Sequence, residues 1–200
     1  MELLEFSLES FRDESLKLAH LVEAAGYKPD CIVYLAKGAW QIGEACAEHF
    51  GVPMVELAAC RSGETVKNGA RSILPLLPRG LRGALRKAEL RKRLGAADGN
   101  MQEKTMRLTD RFPLPSDTHR VLLVDDAADT GSSLSAAKGL LGTMLSSCEV
   151  KTAVITSFGP ARAGAGVDFA LYEDVLLCSP MSKDSKDYAA ALAAYEKVGR

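Results

Sequence analysis

The chain has 200 residues, of which 47% are hydrophobic and 26% are charged, and its 25 Lys and Arg nearly balance 26 Asp and Glu. This length suits one ordinary domain, and the composition is globular, which argues against a largely disordered chain. The balanced charge argues against nucleic-acid binding over the whole surface. No apolar run is long enough to span a bilayer, and residues 1–17 do not resemble a signal peptide.

Five widely spaced cysteines, with no CxxC motif, argue against a disulfide framework and against a structural zinc site. Unpaired cysteines are typical of a reducing compartment. We therefore expect a cytoplasmic protein.

The first part of the chain alternates predicted helices and strands. Apolar spacing predicts one or two amphipathic helices over residues 2–25. Short apolar runs predict strands at 31–35 and 52–57, with a helix from 41 to 50 between them. A strand, helix and strand in this order indicate a parallel α/β unit.

Residues 61–118 interrupt the alternation, and we expect an irregular, flexible insertion that contains a basic helix. Seven of the sixteen residues from 79 to 94 are Lys or Arg. This basic stretch has three interpretations: a solvated helix face or oligomer contact, capture of an anion near an active site, or contact with nucleic acid.

The α/β pattern returns after the insertion. Strands are predicted at 121–124, 150–155 and 175–178, the last of them late or at an edge, and helices at 133–145 and 188–198. The chain, residues 1–200, is therefore predicted to be one α/β domain. Its core would be a doubly wound, mostly parallel sheet flanked by helices.

The segment from Val121 to Leu134 carries the strongest chemical signal. It reads VLLVDDAADTGSSL, in which an apolar strand is followed by two carboxylates, Asp125 and Asp126, and by a polar loop that opens a helix. Ligands of open α/β sheets bind beyond the carboxyl ends of strands. The amides of such a loop bind a phosphate, whereas two carboxylates suit a diol or a Mg²⁺ ion beside it. The plainer alternative is a strand end followed by a helix cap.

This string resembles the signature with which type I phosphoribosyltransferases bind 5-phosphoribosyl-1-pyrophosphate (PRPP). The resemblance implies that the acidic pair holds the ribose hydroxyls and the loop wraps the 5′-phosphate. It also implies that Mg²⁺ enters with PRPP, with the acidic pair as candidate ligands. The implied PRPP-binding residues are Asp125, Asp126, Ala127, Ala128, Asp129, Thr130, Gly131, Ser132 and Ser133.

Asp129 is the candidate catalytic residue. The resemblance places it where the 6-oxopurine branch of the family keeps a carboxylate that accepts or shares a proton at the purine ring nitrogen. Ser132 departs from the Lys that is common there in hypoxanthine-guanine enzymes. The implied acceptor is therefore a purine-like base whose identity stays open.

A second region, PDCIVYLAKGAW over residues 29–40, resembles the first strand and pyrophosphate loop of the same family. The implied pyrophosphate ligands are Lys37 and Gly38. The Ala36–Lys37 peptide is the candidate for the cis bond often found in that loop. Taken alone, Lys37 and Gly38 would be an ordinary turn at a strand end.

Two further features follow from the resemblance. Residues 61–110 should hold a loop that closes over the reaction. Phe169 and Tyr172 are candidates to stack on the base, although both rings fit equally well as core residues. The basic or polar candidates to reach pyrophosphate are Arg61, Ser62, Lys67, Arg71, Lys104 and Arg107.

The function implied is transfer of a 5-phosphoribosyl group from PRPP to a nucleobase with release of pyrophosphate, by a homodimer. The alternative on the same fold is a non-catalytic sensor of PRPP or a nucleotide, with RNA binding as a further property. The opening VLLVDD also occurs in response-regulator receiver domains. Only 74 residues follow Asp126, too few to complete that fold, and the DTG loop has no role in it.

Overall fold

The computed structural model describes residues 1–60, 87, 88, 90, 91, 105–145 and 147–198. Residues 87, 88, 90 and 91 are helical. The remainder of the predicted basic helix lies outside the described residues. Most of the segment 61–110, in which the closing loop is expected, also lies outside the described residues. So do the pyrophosphate candidates Arg61, Ser62, Lys67, Arg71 and Lys104.

The elements of the described residues are as follows. The strands are β1 (Leu3–Glu5), β2 (Cys31–Leu35), β3 (Met54–Cys60), β4 (Thr105–Leu108), β5 (Arg120–Ala128), β6 (Glu149–Ser157), β7 (Phe169–Glu173) and β8 (Leu176–Cys178). The helices are α1 (Leu8–Ala24), α2 (Trp40–Phe50), α3 (Ser132–Met144), α4 (Gly159–Gly164) and α5 (Tyr188–Lys197). In this described part, none of the helices has both the length and the apolar character needed to cross a membrane.

The main sheet has the strand order β4-β3-β2-β5-β6-β7. All its neighbouring strands are parallel except β4, which runs antiparallel to β3 at one edge. The chain starts the parallel sheet at β2, adds β3 on one side, and then crosses to the other side to add β5. The predicted doubly wound, mostly parallel sheet is confirmed.

Helices cover both faces of this sheet. Apolar residues of α1, α2 and α5 pack with Ile32 and Leu122 on one face. Those of α3 and α4 pack with Val33 and Leu123 on the other face. All five residues of β2 are buried, as expected for a central parallel strand covered on both sides.

Two local predictions differ from the structure, and one strand was not predicted. Residues 2–25 are not purely helical, because β1 precedes α1 and pairs in parallel with β8 in a separate small sheet. The segment predicted to be irregular contributes β4, which pairs with β3. The segment that begins at Phe169 is the edge strand β7. Each of these short strands gains its stability from a partner elsewhere in the chain, so local sequence carries little signal for it.

A buried carboxylate ties α5 to the sheet. Glu56, on β3, is 3% exposed, and its Oε2 accepts hydrogen bonds from the hydroxyls of Tyr34 at 2.8 Å and Tyr195 at 2.7 Å. The Arg111 guanidinium lies 4.1 Å from the centre of the Tyr195 ring. It also donates to the carbonyls of Tyr195 and Val198 at the end of the chain. A buried charge is tolerated only with such partners.

Replacing Tyr195 by Phe removes one of the two hydroxyl donors to Glu56. We expect the free energy of unfolding to fall by about 1–3 kcal/mol, because a buried acceptor loses a hydrogen bond. Urea unfolding measures this change. Tyr188→Phe is the matched control, because Tyr188 lies in the same helix as Tyr195. Its hydroxyl has no hydrogen-bond partner among the described residues. Equal losses in the two variants would contradict the role of Glu56.

The same cluster predicts a loss of stability in alkali. Burial raises the pKa of both Tyr34 and Tyr195 above the usual value, and the hydrogen bond to Glu56 raises it further by a smaller amount. A phenol with a higher pKa in the folded chain stabilises it fully below about pH 10, and this contribution is lost as the pH rises further. As the pH rises above about 10, we expect the urea concentration at the unfolding midpoint to decrease. The decrease should be less steep in Tyr195→Phe. Identical slopes would show that Tyr195 does not contribute.

Candidate active site

A crevice opens where β2 and β5 part. Their pairing ends at Tyr34 and Val124, because the chain turns away after Leu35. The pairing of β5 with β6 continues further, to Ala128 and Ser157. The last residues of β5 therefore extend beyond the carboxyl end of β2, at the point where the chain order of the sheet reverses. Open α/β sheets bind ligands at such a switch point.

The acidic pair lies within β5 rather than after it. The sequence predicted a strand that ends at Val124, but β5 continues to Ala128 along β6. Asp125 and Asp126 are both half-buried. The backbone N–H of Asp126 donates to Oδ1 of Asp125 at 2.9 Å. This bond helps to fix the direction of the first carboxylate.

A cleft of about 170 Å³ occupies the crevice. It brings together the turn after β2, the end of β3, the edge strand β4, the acidic pair and the first turn of α3. Its lining consists of Leu35, Ala36, Gly38, Leu57, Ala59, Met106, Asp125, Asp126 and Ser133. The two regions that the sequence singled out, separated by almost 90 residues, thus meet at one cleft.

Gly38 lies close to Asp126 of the acidic pair. A Cβ added to Gly38 would lie 2.8 Å from Oδ2 of Asp126, closer than real Cβ contacts. Glycine therefore allows the turn after β2 to approach the acidic pair. The peptide between Ala36 and Lys37 in this turn is cis, as the family resemblance implied.

The Lys37 side chain is not part of the cleft lining. It is exposed, and its ammonium nitrogen lies 5.2 Å from the centre of the Tyr195 ring, within the range of a cation–π contact. Arg107, another predicted pyrophosphate residue, is exposed on β4 next to Met106 of the lining. Both cations are close in sequence to cleft residues.

The loop after β5 leads directly into α3. Gly131 precedes the helix in a left-handed conformation, with φ +76°, and a Cβ there would lie 2.3 Å from Cβ of Ala165. The Thr130 hydroxyl donates to Oγ of Ser132 at 3.2 Å and accepts from its N–H at 3.4 Å. Hydroxyls and amides thus gather at the positive end of the helix dipole, where anions are favoured.

The remaining predicted PRPP residues belong to the same stretch. Ala127 and Ala128 end β5, and Ala128 is buried with its carbonyl accepting from the N–H of Phe158. Asp129 is half-buried at the start of the loop, between the acidic pair and the hydroxyl cluster.

Ser179 also contacts the acidic pair, and the sequence did not reveal it. It follows β8, is 1% exposed, and its hydroxyl donates to Oδ2 of Asp126 at 3.1 Å. The two residues are 53 positions apart, and no motif links them. The only signal was the short apolar run before Ser179, which predicted a strand that ends there.

The two aromatic candidates lie away from the cleft. Phe169 begins β7, and its ring is 5.9 Å from the ammonium nitrogen of Lys151. The Tyr172 hydroxyl donates to Oε2 of Glu14, on α1, at 2.8 Å. Both rings pack against the core on the α1 face of the sheet. These contacts favour the alternative that the two are core residues, and their part in base binding stays a prediction.

The solved structures that resemble this fold include the following three. A purine phosphoribosyltransferase from Pyrococcus horikoshii Ot3 has a TM-score of 0.57 at 16% identity, over 91% of this chain and 95% of its own. The Helicobacter pylori xanthine-guanine-hypoxanthine phosphoribosyltransferase has a TM-score of 0.56 at 15% identity, over 88% of this chain and 92% of its own. A hypothetical protein from Neisseria gonorrhoeae with bound ppGpp has a TM-score of 0.56 at 16% identity, over 98% and 96%. At these identities the likeness shows the fold.

Sequence comparison gives the family. No curated protein matches the chain by sequence. The family model described as the phosphoribosyl transferase domain, however, matches residues 15–168. That match spans most of the chain and includes both the turn after β2 and the acidic pair. The chain therefore belongs to the phosphoribosyltransferase family.

Proposed function

We propose that the protein transfers the 5-phosphoribosyl group of PRPP to a purine-like base and releases pyrophosphate. The observation that carries the proposal is the cleft at the β2–β5 switch point, where Gly38, the acidic pair and Ser133 meet. In the reaction, the bond from ribose C1 to the pyrophosphate oxygen breaks, and a bond from C1 to a base nitrogen forms. The transition state resembles an oxocarbenium ion, as in glycosyl transfer generally.

The cleft offers a complementary group for each part of PRPP. Asp125 and Asp126 would accept hydrogen bonds from the ribose hydroxyls, and the loop of residues 127–133 would bind the 5′-phosphate through amides and hydroxyls. The turn of Lys37 and Gly38 would face the pyrophosphate. Catalysis would then rest on positioning and on stabilising the charge of the leaving group.

Magnesium fits this donor set. Carboxylate oxygens are its preferred protein ligands, and Mg²⁺ usually binds through one or two carboxylates together with substrate phosphates. Asp125 and Asp126 would supply the carboxylates, and PRPP the other oxygens. The ion would neutralise part of the diphosphate charge.

Asp129 would take the proton that the base loses when its nitrogen bonds to C1. Its position in the same loop, three residues after Asp126, supports this role. The names of two structural neighbours favour a purine-like acceptor. We further propose a cytoplasmic homodimer.

A second candidate function is a sensor that binds PRPP or a nucleotide in the same cleft without turnover. The observation that favours it is the ppGpp bound to the structural neighbour from Neisseria gonorrhoeae. Binding and pyrophosphate release, measured separately, distinguish the two candidates.

The direct test is to incubate the protein with PRPP and Mg²⁺, to add hypoxanthine, guanine, xanthine or adenine in separate reactions, and to measure pyrophosphate. We expect pyrophosphate release that depends on at least one of these bases. Asp125→Asn combined with Asp126→Asn should lower kcat/KM at least about 100-fold, because the groups that hold the ribose lose their charge. Asp13→Asn combined with Asp117→Asn removes two charges from exposed positions on α1 and before β5, and should retain activity.

Calorimetry with PRPP and Mg²⁺ measures binding and, together with the assay of pyrophosphate release, distinguishes the transferase from the sensor. Binding together with release supports the transferase. The sensor is supported instead if PRPP binds, no base leads to pyrophosphate release, and the acidic-pair variant abolishes the binding. Absence of both PRPP binding and pyrophosphate release contradicts the transferase and a sensor of PRPP, and the same titration with ppGpp then tests the nucleotide sensor.

Gly38→Ala tests the contact between the turn and the acidic pair. The added methyl group must displace the Asp126 carboxylate, so we expect KM for PRPP to rise about ten-fold. Gly139→Ala is the matched control, since a Cβ there meets nothing within 4 Å on the exposed side of α3. It should leave KM unchanged. A similar KM in both variants would show that the close approach of Gly38 is not needed for binding.

A further inference from the structure

The small sheet of β1 and β8 ends beside the acidic pair. Its parallel pairing runs from Leu3 and Leu176 to Glu5 and Cys178. The N–H of Phe6 then donates to the Cys178 carbonyl at 3.1 Å, which extends the contact by one more residue. The next residue in the chain is Ser179. The start of the chain therefore determines where Ser179 lies.

The hydroxyl of Ser179 is held in place from both sides. Ser179 is 1% exposed, so its side chain has little freedom to turn towards solvent. A tight turn follows, in which the N–H of Ser182 donates to the Ser179 carbonyl at 2.9 Å. The Ser182 hydroxyl lies 3.3 Å from that of Ser179. The Ser179 hydroxyl also donates to Oδ2 of Asp126, at 3.1 Å.

Asp126 is thereby confined between two segments. Gly38 approaches its carboxylate from the turn after β2, and Ser179 donates to the same oxygen from the turn after β8. A hydrogen bond to a charged acceptor is roughly twice as strong as one between neutral groups. The hydrogen bond from Ser179 therefore selects one orientation of this carboxylate before any ligand arrives.

We infer that Ser179 is a positioning residue for PRPP, which acts through Asp126 and couples the small sheet to the ribose site. This inference rests on the proposed function, since it concerns the same cleft. Without the Ser179 hydroxyl, the carboxylate gains rotational freedom that a ligand must then remove. Binding weakens, and the chemical step that follows is left largely unchanged.

A double-mutant cycle tests this coupling, with the affinity of the whole protein for PRPP and Mg²⁺ measured by calorimetry. In the wild-type background, Ser179→Ala should weaken binding about ten-fold. In the Asp126→Asn background, the same change should alter the affinity by less than about two-fold, because the charged acceptor is already absent. Ser185→Ala, in the connection between β8 and α5, is the control and should leave affinity unchanged.

Each outcome has one meaning. An unchanged affinity in Ser179→Ala, in a protein that binds PRPP, overturns the inference but leaves the proposed function standing. Equal weakening in both backgrounds also overturns it, because it shows a general structural effect that does not pass through Asp126. If the wild-type protein does not bind PRPP, the proposed function fails and the inference fails with it.

If the wild-type protein also turns PRPP over, the kinetic constants provide a second readout. Ser179→Ala should raise KM for PRPP and change kcat by less than about two-fold, since the hydroxyl acts before the chemical step. A fall in kcat at constant KM would overturn the positioning role.

Discussion

The early end of the pairing between β2 and β5 is the constraint on which the site depends. Had β2 continued alongside β5, its backbone would fill the space that the cleft occupies. Because the chain leaves the sheet after Leu35, the last part of β5 is supported by β6 on one side and faces the cleft on the other. The acidic pair is therefore held by a rigid strand while its carboxylates remain within reach of a ligand.

The close packing of segments around Asp126 explains why small and polar residues surround it. Three separate segments converge on Asp126: β5 itself, the turn that contains Gly38, and the turn that begins at Ser179. The turn lies so close to β5 that a Cβ at Gly38 would displace the Asp126 carboxylate. A fourth segment contacts the loop after β5, because Ala165, which directly follows α4, lies against Gly131. The cleft is therefore shaped by packing as much as by its charged groups.

The sequence predicts the parts of this structure that depend on local pattern. The buried strands, the parallel order and the string from Val121 to Leu134 all have local signals, and the described structure agrees with them in outline. It does not predict β1 or Ser179, because each depends on a partner far along the chain. Nor could it decide whether Tyr172 faces a ligand or the core, since an amphipathic ring suits both environments until its hydroxyl partner, Glu14, is known.

The cluster around Glu56 has a consequence for how the protein emerges during synthesis. The Glu56 carboxylate belongs to an early strand, whereas one of its two donors, Tyr195, is 139 residues further along. Until α5 leaves the ribosome, a nascent chain that buries Glu56 lacks one of its donors. The first strand likewise waits for β8. Completion of the fold is thus postponed until α5 has been synthesised, which lengthens the period in which chaperones can engage the unfinished sheet.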